Sequence, residues 1–209
     1  MSAREEVLGR IRAANAAAGH PPPPDVPRGY HRTGTHPAGA PELLALVRDR
    51  LVDYKATVLD APAGGVADAV RTALADVAGP VVVPPGLPED WWPVGLGGRV
   101  TDDGTLSAAD LDAAAAVLTG CAAACAATGT IALDGSPDQG RRALTLVPDV
   151  HVCVVRAEQV VQTVPELLAA LEPTRPITFV SGPSATSDIE LERVEGVHGP
   201  RTLIVVLVA

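Results

Sequence analysis

The residues best equipped for chemistry lie near the carboxyl end of the chain. An apolar run, Ile177 to Val180, is followed by Ser181-Gly182-Pro183-Ser184-Ala185-Thr186-Ser187-Asp188. Glycine permits close backbone approach, and Ser and Thr hydroxyls both donate and accept hydrogen bonds, so this turn suits an anion or a polyhydroxylated ligand. Ser181, Gly182, Ser184, Thr186 and Asp188 are its pocket-shaping candidates. Glu190, Glu192, Glu195 and His198 follow and offer acid and base groups, His being the side chain that titrates near neutrality. Glu192 and Arg193 read as an exposed edge of alternating polarity with Ile189 and Leu191. Glu195, His198 and Arg201, flanked by Gly196 and Gly199, read as site groups. The candidates for catalysis are Glu195, His198 and Glu190.

A second group precedes another apolar run. Thr128-Gly129-Thr130 can shape a turn whose N–H groups face a ligand. Arg141 and Arg142 could clamp a carboxylate or phosphate, but adjacent helical residues point about 100° apart, so one of the two faces any site. Arg142 or Arg201 supplies the counter-charge for an anion.

These groups need a frame. Residues 2–18 read as a helix opened by the capping box Ser2/Glu5, and Gly19 ends it. A Pro-rich linker, His20 to Ala40, should run extended, which makes residues 1–40 an arm and 41–209 the α/β body. In the body, helical stripes (Leu43, Leu44, Val47, Leu51; then Val66, Val70, Leu74, Val77) alternate with apolar runs at Ala56–Leu59 and Val81–Val83. That rhythm predicts a mainly parallel sheet with right-handed crossovers and helices on both faces. Ala113 to Ala127 is Ala-rich and ambiguous between helix and buried strand; Thr130–Leu133 reads as a strand and Gln139–Leu146 as a helix. Val150–Val155 is a strand, Thr163 and Glu166 cap a helix, and Ile177–Val180 and Leu203–Val208 are strands covered on both faces. The twenty-two residues between the last two, 181 to 202, form a long loop; long loops in compact domains are usually functional or disordered, and this one holds few disorder-promoting runs. Ligands of open α/β sheets sit beyond strand carboxyl ends, which directs attention to this loop.

Composition excludes several classes. The net charge is −9 and Lys55 is the only lysine, so no basic face invites nucleic acid or an anionic membrane. No wholly apolar run is longer than Leu203 to Ala209, which is far short of a membrane span. Three cysteines give no disulfide framework, and Cys121, Cys125 and Cys153 read as small core thiols with no metal-ligand spacing; the chain reads as cytoplasmic. No dinucleotide, P-loop or nucleophile-elbow motif is present.

The run SGPSATSDIELERVEGVHGPRTLIVVLV, Ser181 to Val208, resembles the C-terminal signature of the lactate-utilisation protein C family, also called LutC or the LUD domain family. LTGCAAACAATGTIALD, QGRRALTLVPDVHVCVVRAEQVV and VVVPPGLP resemble its other blocks. The family's central motif often carries an Asp after the first Cys and a Glu before Thr-Gly-Thr, where this chain has Ala122 and Ala127. The resemblance implies a fold similar to the NagB/RpiA/CoA-transferase one. It also implies an accessory role in oxidising L-lactate to pyruvate, as a subunit of an L-lactate-oxidising (dehydrogenase) complex. Iron–sulfur partner proteins would carry the electrons, with no cofactor bound by this chain. Two alternatives stay open: a stand-alone enzyme on an acyl-CoA or sugar-phosphate-like substrate, with Glu190 or Glu195 as nucleophile or base, and a scaffold without ligand.

Overall fold

A computed structural model describes residues 2–19, 25–186, 194–195 and 199–209. The chain divides into two units, Met1–Tyr30 and His31–Ala209. The first holds helix α1, Ala3–Ala17, whose start is fixed by reciprocal bonds: Glu5 N donates to Ser2 Oγ, and Ser2 N donates to the Glu5 carboxylate.

The second unit is built on a six-stranded, wholly parallel sheet. In chain order its strands are β1 (Thr57–Ala61), β2 (Val81–Val83), β3 (Arg99–Thr101), β4 (Ala116–Thr119), β7 (Val150–Arg156) and β12 (Thr202–Val208). Their spatial order is β1-β12-β7-β4-β2-β3. The expected parallel sheet is therefore present. Successive side chains of a strand point to opposite faces, and β12 shows what this achieves. Leu203, Val205 and Leu207 pack with Leu43, Val47 and Leu51 of helix α2 (Pro41–Asp53). Val206 and Val208 pack on the other face with Val66 and Val70 of helix α3 (Val66–Ala73).

The Ala-rich stretch resolves into three elements: helix α4 (Ala108–Asp112), then β4, then β5 (Ala123–Cys125), with Gly120 at the break between the strands. Strand β5 opens a second sheet of order β8-β5-β6-β9, made with β6 (Thr130–Leu133), β8 (Val160–Val161) and β9 (Thr178–Val180). In it β5, β6 and β9 run antiparallel in succession. Helix α5, Val164–Ala169, follows β8, and its Leu167 packs against Ala123 and Ala132 of this sheet. The apolar run at Ile177–Val180 thus differs from its expected setting. It is an edge strand, and Phe179 is 51% exposed. Run length alone does not distinguish an edge strand from a central one, because pairing decides burial. The Gln139–Leu146 helix shrinks to a 3-10 turn, Arg142–Thr145, because Gly140 sits at φ +70 and cannot serve as a regular helical residue.

Residues 34–39 are strapped to the body. Gly34 N donates to Glu166 Oε1 at 2.9 Å, Thr35 N and His36 N donate to Gln162 Oε1 at 2.6 and 3.0 Å, and Gly39 N donates to Val160 O at 2.9 Å. The same Gly34 N–H holds the Glu166 carboxyl below its ordinary range. The linker reading overlooked these acceptors because they lie more than a hundred residues away. Gln162→Ala removes two of the bonds, one from each amide, so exchange of residues 35 and 36 should accelerate about two- to tenfold, at roughly 0.5–1.5 kcal/mol per bond. Unchanged protection would show that Gln162 does not hold this strap.

Candidate functional site

The 3-10 turn Arg142–Thr145 lies over the face of the parallel sheet, where Leu144 packs with Val82, Leu111 and Val117. Between this turn and the β9 edge lie two cavities that share Arg142, Thr145 and Thr178. The larger, about 960 Å³, reaches past the carboxyl ends of β2, β3 and β6 to Pro85, Asp102 and Asp134. The smaller, about 320 Å³, is lined by His151, Ser181 and Ser184, with Pro200 and Leu203 at the start of β12.

Most charge in the larger cavity is already paired. Asp102, 4% exposed, accepts from Arg141 Nε at 2.8 Å and Nη2 at 3.1 Å. Asp134 accepts from Arg175 Nη1 at 3.0 Å. Burial pushes the Asp134 carboxyl up, but the Ser136 and Arg175 hydrogen bonds outweigh it and hold the group below the usual range. Arg142 differs from its neighbour. Its Nη1 donates to Thr145 Oγ1 at 3.2 Å, and among the described residues no carboxylate pairs with it. An exposed guanidinium at the junction of two cavities, with donors that no group takes up among the described residues, has the chemistry to receive an anion.

Beside it, His151 is 2% exposed at the start of β7. Burial, then the Arg142 charge, lowers its pKa to about 4, so the ring is neutral at pH 7. Its Nε2 lies 2.8 Å from Thr119 Oγ1.

The structure brings two of the expected groups together. Thr128 Oγ1 donates to Thr130 Oγ1 at 2.8 Å, and Thr130 Oγ1 is 2.9 Å from Ser181 Oγ, so the Thr-Gly-Thr turn and the Ser181 turn share one hydroxyl chain. Their glycines approach the protein itself. Gly129, at φ +65, would place a Cβ 2.8 Å from Arg50 Cβ, and its N–H donates to Cys125 O. Gly182, at φ +86, would place one 2.6 Å from Tyr54 O. Both turns are therefore seated on the carboxyl end of α2. Ser184 N donates to Pro200 O at 2.9 Å, which closes the base of the 181–202 segment.

Arg201 is set apart: it forms a two-point ion pair with Asp149, Nε to Oδ1 at 3.0 Å and Nη2 to Oδ2 at 2.9 Å, and lines neither cavity. The backbones of Thr186 and Glu195 belong to a short hairpin, β10 (Ala185–Thr186) and β11 (Val194–Glu195), which pair antiparallel. Asp188, Glu190 and His198 lie outside the described residues. Cys121, Cys125 and Cys153 are buried free thiols, and a hydrogen bond with Cys153, together with burial, pushes the Cys121 thiol up. Trp91 is a core residue, and Trp92 Nε1 donates to Leu96 O at 3.1 Å. Among the described residues, no group of three or more His, Cys, Asp or Glu is placed to hold a metal ion, and no helix is long and apolar enough to cross a membrane.

Sequence reasoning missed Thr145, Thr178, His151 and the two Asp–Arg pairs. Asp102 follows a strand and was findable by the carboxyl-end rule. Nothing local marks Thr178 or His151, because antiparallel pairing and a β7 neighbour bring them to the cavities.

The LUD domain pattern matches residues 99–208, which include the lining residues of both cavities except Pro85. The chain is 51% identical over 176 residues to a lactate utilization protein C of Deinococcus radiodurans, with 82% of each covered. It is 25% identical to the lactate utilization protein C of Bacillus subtilis, covering 97% of this chain and 91% of that one. A crystal structure of a DUF162 family protein from Deinococcus radiodurans superposes with a TM-score of 0.69 at 43% identity, covering 80% of this chain and 97% of that chain. A domain match over more than half the chain and a relative this similar along most of its length agree, and the chain belongs to the LUD domain family.

Proposed function

We propose that the chain is an accessory protein of L-lactate utilisation that binds a small carboxylate at Arg142 and works in the cytoplasm with iron–sulfur partner proteins. The names of its relatives support the pathway. The observation that carries the ligand half is the Arg142 guanidinium, left unpaired among the described residues at the junction of the cavities while Arg141 and Arg175 are each bound to an aspartate. Thr145, Thr178 and Ser181 line the smaller cavity beside it and offer neutral hydroxyls to the rest of a small hydroxy or keto acid. Asp102 and Asp134 are held as ion pairs and His151 is neutral and buried, which favours a binding role over proton transfer by these carboxylates.

Complementation tests this reading. In a host deleted for its own homologue, the wild-type chain should restore growth on L-lactate and co-purify with iron–sulfur proteins, while Arg142→Ala should fail to restore growth. Full growth with Arg142→Ala would sink the ligand half, and absence of iron–sulfur proteins from the purified complex would sink the partner half.

A further inference from the structure

We propose that His151 is a specificity residue of the smaller cavity, its Nδ1 accepting a hydrogen bond from the hydroxyl of a 2-hydroxycarboxylate whose carboxylate lies on Arg142. This rests on the carboxylate-binding reading above and names the feature of the ligand that the site distinguishes.

The tautomer follows from the neighbours. Thr119 Oγ1 donates to Gly120 O at 2.9 Å, so its hydroxyl hydrogen is committed. The Nε2 that lies 2.8 Å from the same oxygen is therefore the donor and carries the ring's hydrogen. In a neutral imidazole, Nδ1 is then a bare acceptor. Among the described residues, no donor reaches Nδ1, yet no buried side-chain nitrogen or oxygen lacks a partner. Nδ1 is thus not sealed in the core; it opens on the cavity that the ring lines.

The rest of the wall fits the same ligand. Arg142, which lines the cavity with His151, offers donors only, and His151 offers an acceptor held by burial. A 2-hydroxy acid presents the complement: an acceptor carboxylate and, one carbon away, a hydroxyl donor. A 2-keto acid presents a second acceptor at that carbon, whose lone pairs face the Nδ1 lone pair. A plain carboxylate leaves Nδ1 unpaired. The ring stays neutral until about pH 4, so it adds no second cation that would bind carboxylates indiscriminately. A cavity of about 320 Å³ lies at the small end of ligand sites, in keeping with a ligand of few atoms.

Calorimetry on the full chain with L-lactate, pyruvate and propionate tests this. The wild type should bind L-lactate about tenfold more tightly than propionate, the scale of one hydrogen bond, and pyruvate no more tightly than propionate. In His151→Phe, L-lactate affinity should fall to the propionate level while propionate affinity is unchanged. A measurement free of any variant stands beside it: the ¹⁵N resonance of His151 Nδ1 should move on saturation with L-lactate and stay still with propionate. Equal binding of L-lactate and propionate by the wild type, a preference that survives His151→Phe, or a stationary Nδ1 resonance would each overturn the assignment while leaving carboxylate binding intact. No binding of any of the three acids would overturn the carboxylate reading itself, and this inference with it.

Discussion

Acidification from pH 6.5 to about 4 is expected to remove about 3 kcal/mol of folding stability through His151 alone. In the folded chain the ring stays neutral down to about pH 4, held there by burial and by the Arg142 charge. In the unfolded chain it takes up a proton near 6.5. Between those values the unfolded state carries the extra proton, so stability falls as pH falls and is regained as pH rises. Asp134 and Glu166, whose folded carboxyls are held below their ordinary range, also lose their stabilising contribution in acid, but at lower pH and equally in any His151 variant. Denaturant melts of wild type and His151→Phe across this range isolate the histidine. The wild-type curve should drop more steeply by about 3 kcal/mol, and parallel curves would show that His151 titrates normally.

Leu51→Ala should cost about 2–5 kcal/mol. Leu51 is 1% exposed and sits in the cluster that unites α2 with β12, β7 and the second sheet. Truncation leaves a cavity where both sheets meet. The same helix end carries Arg50 and Tyr54, against which Gly129 and Gly182 are pressed. The mutation should therefore also loosen the hydroxyl chain from Thr128 to Ser181 and weaken L-lactate binding at the smaller cavity. The denaturation midpoint checks the first effect. A loss below about 1 kcal/mol would mean that α2 is not seated as described.

How much of this was legible in the sequence varies by element. The parallel sheet was, because β2 and the body of β12 are continuous apolar runs, β7 is apolar but for His151 and Arg156, and helical stripes alternate with the first apolar runs of the body, which periodicity reports directly. The capping boxes at Ser2 and Thr163 were, because they are local. The second sheet was legible in part: β6 and β9 are apolar runs that read as strands, whereas β5 lies in an Ala-rich stretch, and alanine's small side chain fits helix or strand, so β5 declares itself only through pairing with β6 and β8. The site divides the same way. Ser181 and the Thr-Gly-Thr turn were marked by residue type. That they touch, 51 residues apart, is a matter of β6–β9 pairing. Of the two adjacent arginines, spacing says that one faces a site; which one depends on Asp102, buried 39 residues earlier, which engages Arg141. The long 181–202 segment drew attention by length, yet Arg201 at its far end is tied to Asp149, and the cation at the cavities, unpaired with a carboxylate among the described residues, comes from the 3-10 turn instead.

Carboxylate binding is expected to depend on Arg142, with which no carboxylate pairs among the described residues. Calorimetric titration of L-lactate into the wild type and into Arg142→Ala measures that dependence. Saturable, one-to-one binding by the wild type is expected, with a loss of about 10- to 100-fold in Arg142→Ala, the range for hydrogen bonds to a charged group. Equal affinity in the two proteins would contradict it.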